Sequence, residues 1–266
     1  QDRCSVMNRH RLPAYLFGKT ALSNLTDFID RTTLFAFDLD GTLAPIVSDP
    51  ATIGIPDVVR KAFADLNSQT PVAVITGRSR SDALTHLGVT PRYLIGNHGV
   101  EGLPGWASRE NDFVRTVQTW QNQLDSLLPL AASAGIEIEN KGATLSIHYR
   151  HAVNIHAALA AILYATEQLF PKPRRISGKF VENLLPEGAP DKGFALKALM
   201  REAGFEKGFF IGDDETDEDV FVLEDDRIFT VRVGRNAKSH AAFYLRGQQE
   251  IARLLSRLNT ILAHRT

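Results

Sequence analysis

Apolar runs that stop at polar turns recur along this chain, and longer stretches with helical spacing lie between them. Leu34-Phe-Ala-Phe37 is apolar without alternation and ends in Asp38-Leu-Asp40-Gly-Thr42. Such a run, closed by a turn signal, suits a strand covered on both faces, as in a parallel sheet. Pro71-Val-Ala-Val-Ile75, Tyr93-Leu-Ile95 and Phe209-Phe-Ile211 read the same way, and Ile228–Val233 alternates as a further strand. Residues 57–67 read as a helix, and another opens after Thr76-Gly-Arg-Ser79, with serines near its start. Near the C-terminal end Ile251, Leu254, Leu255, Leu258, Ile261 and Leu262 keep one apolar stripe. Strands alternating with helices predict an α/β domain, a doubly wound Rossmann-like parallel sheet.

The middle of the chain breaks that rhythm. After a Pro/Gly-rich turn at Leu103-Pro-Gly-Trp106, the spacing of Phe113, Val117, Trp120, Leu124 and Leu127 predicts a long amphipathic helix. Residues 136–141 and 144–150 then alternate as a hairpin with one half-solvated face: Ile136 and Ile138 oppose Glu137, Glu139 and Lys141, while Leu145, Ile147 and Tyr149 oppose Thr144, Ser146, His148 and Arg150. A further helix carries Ile155, Leu159, Ile162, Leu163, Thr166 and Leu169, and a second hairpin turns near Ser177-Gly-Lys179. One-sided antiparallel strands inside a parallel-sheet chain predict an inserted smaller α+β domain at residues 104–184, with residues 1–103 and 185–266 forming the core domain.

Composition narrows the picture without deciding it. With 266 residues, 44% hydrophobic and 23% charged, the chain can bury a substantial core in one or two domains. A net charge of −1 provides no general attraction for nucleic acid or an anionic membrane. No apolar run approaches the roughly 20 residues of a spanning helix. Residues 1–19 are polar, broken by Pro13, and show no signal-peptide core. The single cysteine, Cys4, precludes an internal disulfide and fits a reducing, cytoplasmic setting as a thiol in a loose tail.

The chemistry-bearing residues stand where the strands end, and ligands of open α/β sheets bind beyond the carboxyl ends of strands. Asp38 and Asp40 share a side if extended geometry persists past Phe37. Two like charges so close require a cation or a shared proton, so the pair reads as a metal-assisted site with one carboxylate as nucleophile and the other as proton shuttle. An Asx-turn is the plainer alternative. Gly212-Asp-Asp-Glu-Thr-Asp-Glu-Asp219 crowds six acids into eight residues after an apolar strand. Helix N-termini favour some acids, but this density calls for a cation, and oxygen-only donors favour Mg²⁺. The spacing is not that of an EF-hand loop. Asp213 reads as the direct ligand, with Asp214 and Asp217 as outer partners. Lys192 opens a helix after Pro190-Asp191, where a cation and the following Gly193 are both unfavourable unless an anion is bound. Thr76-Gly77-Arg78 offers a hydroxyl and backbone N–H groups at a helix start, a seat for an anion.

Taken in order, these residues resemble the haloacid dehalogenase-like phosphatases, through Phe37-Asp-Leu-Asp-Gly-Thr42, Ile75-Thr-Gly-Arg78, Lys192 and Gly212-Asp-Asp214. The resemblance covers nearly the whole chain, and that family's cap insert fits residues 104–184. It implies that Asp38 forms an aspartyl-phosphate, that Asp40 is the general acid/base, and that Mg²⁺ bridges Asp38, the Asp40 carbonyl and Asp213, with Asp214 beside them. Gly96-Asn97-His98-Gly99, Glu139-Asn-Lys141, His148-Tyr-Arg150, Glu182 and Asp191-Lys-Gly193 are similar to the trehalose-6-phosphate phosphatases. That resemblance implies that Glu139, Lys141 and Glu182 hold disaccharide hydroxyls, with Thr76, Gly77, Arg78, Asn97, His98 and Arg150 also at the substrate, and that cap closure excludes water. It also implies a place at the last step of trehalose biosynthesis, with functional coupling to a trehalose-6-phosphate synthase. His98 reads equally well as a core histidine. Rival readings are a phosphatase or mutase for another phosphosugar, such as sucrose 6-phosphate, and a non-catalytic phospho-acceptor or regulatory partner of a sugar-phosphate synthase.

Overall fold

The computed structural model describes residues 12–47 and 52–265. Cys4 lies outside them. The chain packs as two compact units. The first takes the described residues through Ile75, Leu84–Leu94 and those from Lys192 onward; the second takes Thr76–Ala83 and Ile95–Asp191.

The main sheet has seven strands in the order β1-β11-β10-β9-β2-β3-β4. They are β1 (Ala14–Tyr15), β2 (Thr33–Phe37), β3 (Val72–Ile75), β4 (Tyr93–Ile95), β9 (Lys207–Gly212), β10 (Ile228–Val233) and β11 (Phe243–Leu245). β2 pairs in parallel with both β3 and β9. All five residues of β2 are buried, which is why the run is apolar without alternation. Phe209 stacks on Phe229 and Phe229 on Phe243, with centroids 6.0 and 4.5 Å apart, tying three strands together on one face. Helix α8 (Ile251–Ala263) buries its whole predicted stripe, and Asn259 on it donates to the Ala62 carbonyl of α2 (Asp57–Gln69) at 2.9 Å. Two-residue β1 and helix α1 (Lys19–Phe28) escape periodicity; β1 is held by partners instead, the Tyr15 hydroxyl donating to Glu250 at 2.6 Å and Leu16 N–H to the Tyr244 carbonyl at 2.9 Å.

The strand order reverses between β2 and β9. Successive strands β2, β3 and β4 run outward on one side, and β9, β10 and β11 on the other. Such a switch point opens a crevice beyond the carboxyl ends of the two adjacent strands. Phe37 pairs with Ile211, and Asp38 N–H donates to the Ile211 carbonyl at 2.9 Å, so the acids after both strands meet there.

The second unit holds a four-stranded antiparallel sheet in the order β5-β6-β8-β7: β5 (Glu137–Asn140), β6 (Leu145–His148), β7 (Arg174–Gly178) and β8 (Val181–Leu185). Leu145, Ile147 and Leu184 pack with Val117, Trp120 and Leu124 of α4 (Ala107–Leu127) and Ala158, Ile162 and Ala165 of α5 (Ile155–Glu167). Between α3 (Arg80–Leu87) and α4 the chain makes a tight turn at Asn97–Gly99. The opposite sheet face is not simply half-solvated as its polar residues suggest. Thr144 and Ser146 are buried because their hydroxyls are bonded, to Asn97 at 2.9 Å and to Asn183 at 2.6 Å. Among the described residues no helix is long and apolar enough to cross a membrane.

Candidate active site

Lys192 is the hub of the first unit's acidic centre. It starts α6 (Lys192–Ala203), is 1% exposed, and its Nζ donates to Asp38 Oδ1 and to Asp217 Oδ1, each at 2.8 Å. The unfavourable helix start is thereby explained: two buried carboxylates hold the ammonium in place. Asp217 precedes the short helix α7 (Glu218–Phe221), and its Oδ2 accepts the Asp213 and Asp214 N–H groups at 2.7 and 3.0 Å. Its carboxylate therefore shapes the turn after β9 while balancing Lys192. Arg232 of β10 closes the turn from the other side, donating to the Asp213 carbonyl, to the Asp214 carbonyl at 3.0 Å and to Glu218 at 2.8 Å. Two glycines make the close approach possible. A Cβ on Gly212 would collide with the Asp217 carboxylate, and one on Gly41 with that of Asp213; Gly41 also has a φ of +83°.

Asp38, Asp213 and Asp217 can each place an oxygen within 4.8 Å of the others. Asp214 is exposed and turned to its own loop, its Oδ1 accepting from Thr216 N–H and Oγ1 and from Asp217 N–H at 2.7–3.1 Å. Of the two acids expected beside Asp213, Asp217 thus lies in this cluster and Asp214 bonds within its own loop. Asp40 is partly buried where the chain folds back, bridged to Ala44. Thr42 Oγ1 lies 3.5 Å from Asp213 Oδ1.

The electrostatics of this cluster ask for a cation. Burial pushes the Asp38 carboxyl well above the ordinary carboxylate range; Lys192 opposes that, and Asp217, Asp214 and Asp213 reinforce it. Asp213 is pushed up to about 7, by burial first and then by Asp217 and Asp214. Burial also raises Asp217, against Lys192. Burial works against the Lys192 charge, but Asp217 and Asp38 outweigh it and keep the ammonium well above its usual range. With all three carboxylates ionised around one ammonium, the net charge would be minus two in a largely buried place, which is what the raised carboxyl values resist. A divalent cation with a preference for oxygen cancels that charge, so the donor set fits one.

In the second unit the Thr76-Gly77-Arg78 turn is held by the loop after β4. Thr76 is buried, its N–H donates to the Ile95 carbonyl, and its Oγ1 accepts Arg78 N–H at 3.2 Å. Arg78 pairs with Asp82 at 2.7 Å. Gly77 leaves the space taken by the His98 ring. Asn97 is fully buried, and its side chain bonds Thr144, the Lys141 carbonyl and Glu101.

Strand register sorts the remaining residues. Glu139 lies opposite Ser146, and Ser146 opposite Asn183, so these three form a row across one face. His148 Nε2 lies 2.9 Å and Lys141 Nζ 3.8 Å from Glu139 Oε2; His148 first, then Lys141, holds that carboxyl below its ordinary range against partial burial. Glu182 lies opposite Ile147, which lies opposite Ile138, and so takes the other face. It is 3% exposed there, accepting from Ser177 at 2.8 Å with Arg175 at 3.5 Å. Of the expected group, Glu139 and Lys141 thus share a sheet face with Asn183, one position along β8, while Glu182 points to the opposite face. Arg150 is exposed in the turn after β6. Asn183 and His148 were missed as a pair with Glu139 because only the cross-strand register reveals them; Arg232 carried no sequence signal.

The trehalose-phosphatase family model matches residues 36–246. The chain is 29% identical over 252 residues to probable trehalose-phosphate phosphatase G of Arabidopsis thaliana, covering 83% of this chain and 67% of that protein. It is 30% identical over 195 residues to probable trehalose-phosphate phosphatase 4 of Oryza sativa subsp. japonica, covering 69% of this chain and 53% of that one. Among solved structures, the C-terminal domain of Candida albicans trehalose-6-phosphate phosphatase superposes with a TM-score of 0.70 at 22% identity, over 95% of this chain and all of that one.

Proposed function

We infer the activity from kinship and charge geometry together: this chain belongs to the trehalose-phosphatase family, and it hydrolyses trehalose 6-phosphate to trehalose and inorganic phosphate. The observation that carries the reading is Lys192, buried and bonded at 2.8 Å to both Asp38 and Asp217 at the sheet's switch point. A fold alone would not assign the chemistry; a buried ammonium beside a buried, cation-demanding carboxylate does support it.

The step divides among this chain's own residues. Asp38 attacks phosphorus, forming a P–O bond to its carboxylate as the bond to the sugar oxygen breaks. Asp40 gives its proton to the departing sugar oxygen. A water then attacks the aspartyl-phosphate, Asp40 takes its proton, and phosphate leaves with Asp38 restored. Lys192 offsets phosphate charge and keeps Asp38 aimed through its Oδ1. The Thr76 hydroxyl and the Gly77 N–H of its turn seat phosphate oxygens. Mg²⁺, which Asp38, Asp213 and the Asp40 main chain would hold, supplies the positive charge that lets a carboxylate approach a phosphate dianion. On the second unit, Glu139, Lys141 and Asn183 are assigned to sugar hydroxyls, with His148 orienting Glu139. Such residues discriminate because a buried polar group left unpaired by the wrong sugar costs about 1–3 kcal/mol.

Phosphate release from trehalose 6-phosphate, sucrose 6-phosphate, glucose 6-phosphate and an aryl phosphate, with and without Mg²⁺, tests this. Fast Mg²⁺-dependent release confined to trehalose 6-phosphate is expected. Turnover of the aryl phosphate without that preference would keep the chemistry and discard the substrate. Inactivity of folded protein on all four would overturn the catalytic reading.

A further inference from the structure

The loop at residues 96–101 grips the turn after β3, and one side chain carries the grip onward into the β5–β6 hairpin. His98 N–H donates to the Thr76 carbonyl at 2.9 Å and Asn97 N–H to the Arg78 carbonyl at 2.7 Å. Glu101 accepts Arg80 N–H at 2.7 Å. Asn97 then reaches the hairpin bend: its Nδ2 donates to the Lys141 carbonyl at 3.0 Å, and its Oδ1 accepts the Thr144 hydroxyl at 2.9 Å. The second amide hydrogen goes to Glu101 at 3.2 Å. With the residue fully buried and both amide hydrogens engaged, this side chain is not available to a substrate.

Two further observations separate its role from ordinary packing. Asn97 and His98 are both left-handed, with φ of 51° and 61°. Asn tolerates that conformation better than most residues, and successive instances persist only where the surroundings over-determine them. The turn and the bend are each closed without the Asn97 side chain, by the backbone bonds above and by Lys141 N–H to the Thr144 carbonyl at 2.9 Å. What that side chain adds is the link between them.

We propose that Asn97 is a positioning residue that locks the Thr76–Arg80 turn and the Lys141–Thr144 bend into one rigid piece. The proposal rests on the function inferred above, in which the turn seats phosphate and Lys141 reads sugar. Sugar binding raises the rate only when its geometry is fixed relative to the reacting phosphate, and a misplacement of about 1 Å can cost about 10²-fold. An aryl phosphate presents nothing for Lys141 to hold, so it does not sense the link.

A double-mutant cycle tests this. Asn97→Gly keeps the left-handed backbone and removes the side chain; Thr144→Val removes one bond and keeps the shape. Each is combined with Lys141→Ala, and kcat/KM is measured on trehalose 6-phosphate and on an aryl phosphate. Lys141→Ala is expected to cost about 10-fold or more on the sugar phosphate in the wild-type background and less than about 3-fold in the Asn97→Gly background. Thr144→Val should shift the cycle in the same direction with aryl phosphate turnover unchanged, and it serves alone if Asn97→Gly does not fold. Equal Lys141→Ala losses in all backgrounds would overturn the latch while leaving the function standing. Absence of wild-type turnover on trehalose 6-phosphate would overturn the function and the latch with it.

Discussion

Asp38 and Lys192 stand 154 positions apart in sequence and 2.8 Å apart in the fold. Removing the ammonium leaves Asp38 and Asp217 buried without it, so Lys192→Met should destabilise the fold by about 3–5 kcal/mol, read by denaturant unfolding, and abolish turnover. Asp38→Asn should leave a folded protein with no turnover; retained activity in a pure sample would exclude a covalent role for that carboxylate. Asp213 yields a pH prediction. Its folded pKa of about 7 lies above the ordinary 3.8, chiefly through burial. In the cation-free protein its stabilising contribution is complete below the lower value and lost as pH rises through the upper one. A cation must displace that proton, so the thermal shift produced by Mg²⁺ should grow between about pH 6 and pH 8. A pH-independent shift would show that Asp213 is not a ligand.

At the scale of elements, the four-stranded sheet divides its polar side chains by parity. Glu139 and Asn183 share one face, and Glu182 the other. Alternation along one strand is visible in a sequence, but which residue of β8 lies across from Ser146 depends on where the two strands pair. Asn183→Ala should therefore lower kcat/KM for trehalose 6-phosphate far more than for an aryl phosphate. Glu182→Ala should lower thermal stability, by about 1–3 kcal/mol from a lost buried acceptor, and should affect both substrates alike. A selective loss from Glu182→Ala would return that residue to the sugar. The apolar strands β2, β3 and β9 were legible because burial on both faces writes itself as an unbroken run. β1 and β11 were not: β1 is a two-residue edge strand and β11 three residues between it and β10, and both take their conformation from their neighbours' main chain.

At the scale of the whole molecule, a ligand that binds only the folded state raises stability by mass action, by about 2.7 kcal/mol at one hundred times its Kd. Mg²⁺ should thus raise the melting temperature, and Asp213→Asn should remove most of that rise without unfolding the protein. By itself the sequence determined the alternating α/β plan, the four ordered motifs and the acids and lysine proposed here for the phosphoryl chemistry. Local patterns suffice there, because strand burial, turn residues and helix starts are written in neighbouring positions. The tertiary structure decided that Asp217 rather than Asp214 bonds Lys192, that Arg232 closes the turn, that Asn97 is engaged internally, and that Asn183 faces with Glu139. Each of those depends on which distant segments lie side by side. That is set by the packing of sheets and by strand register, and a shift of one residue exchanges one face for the other.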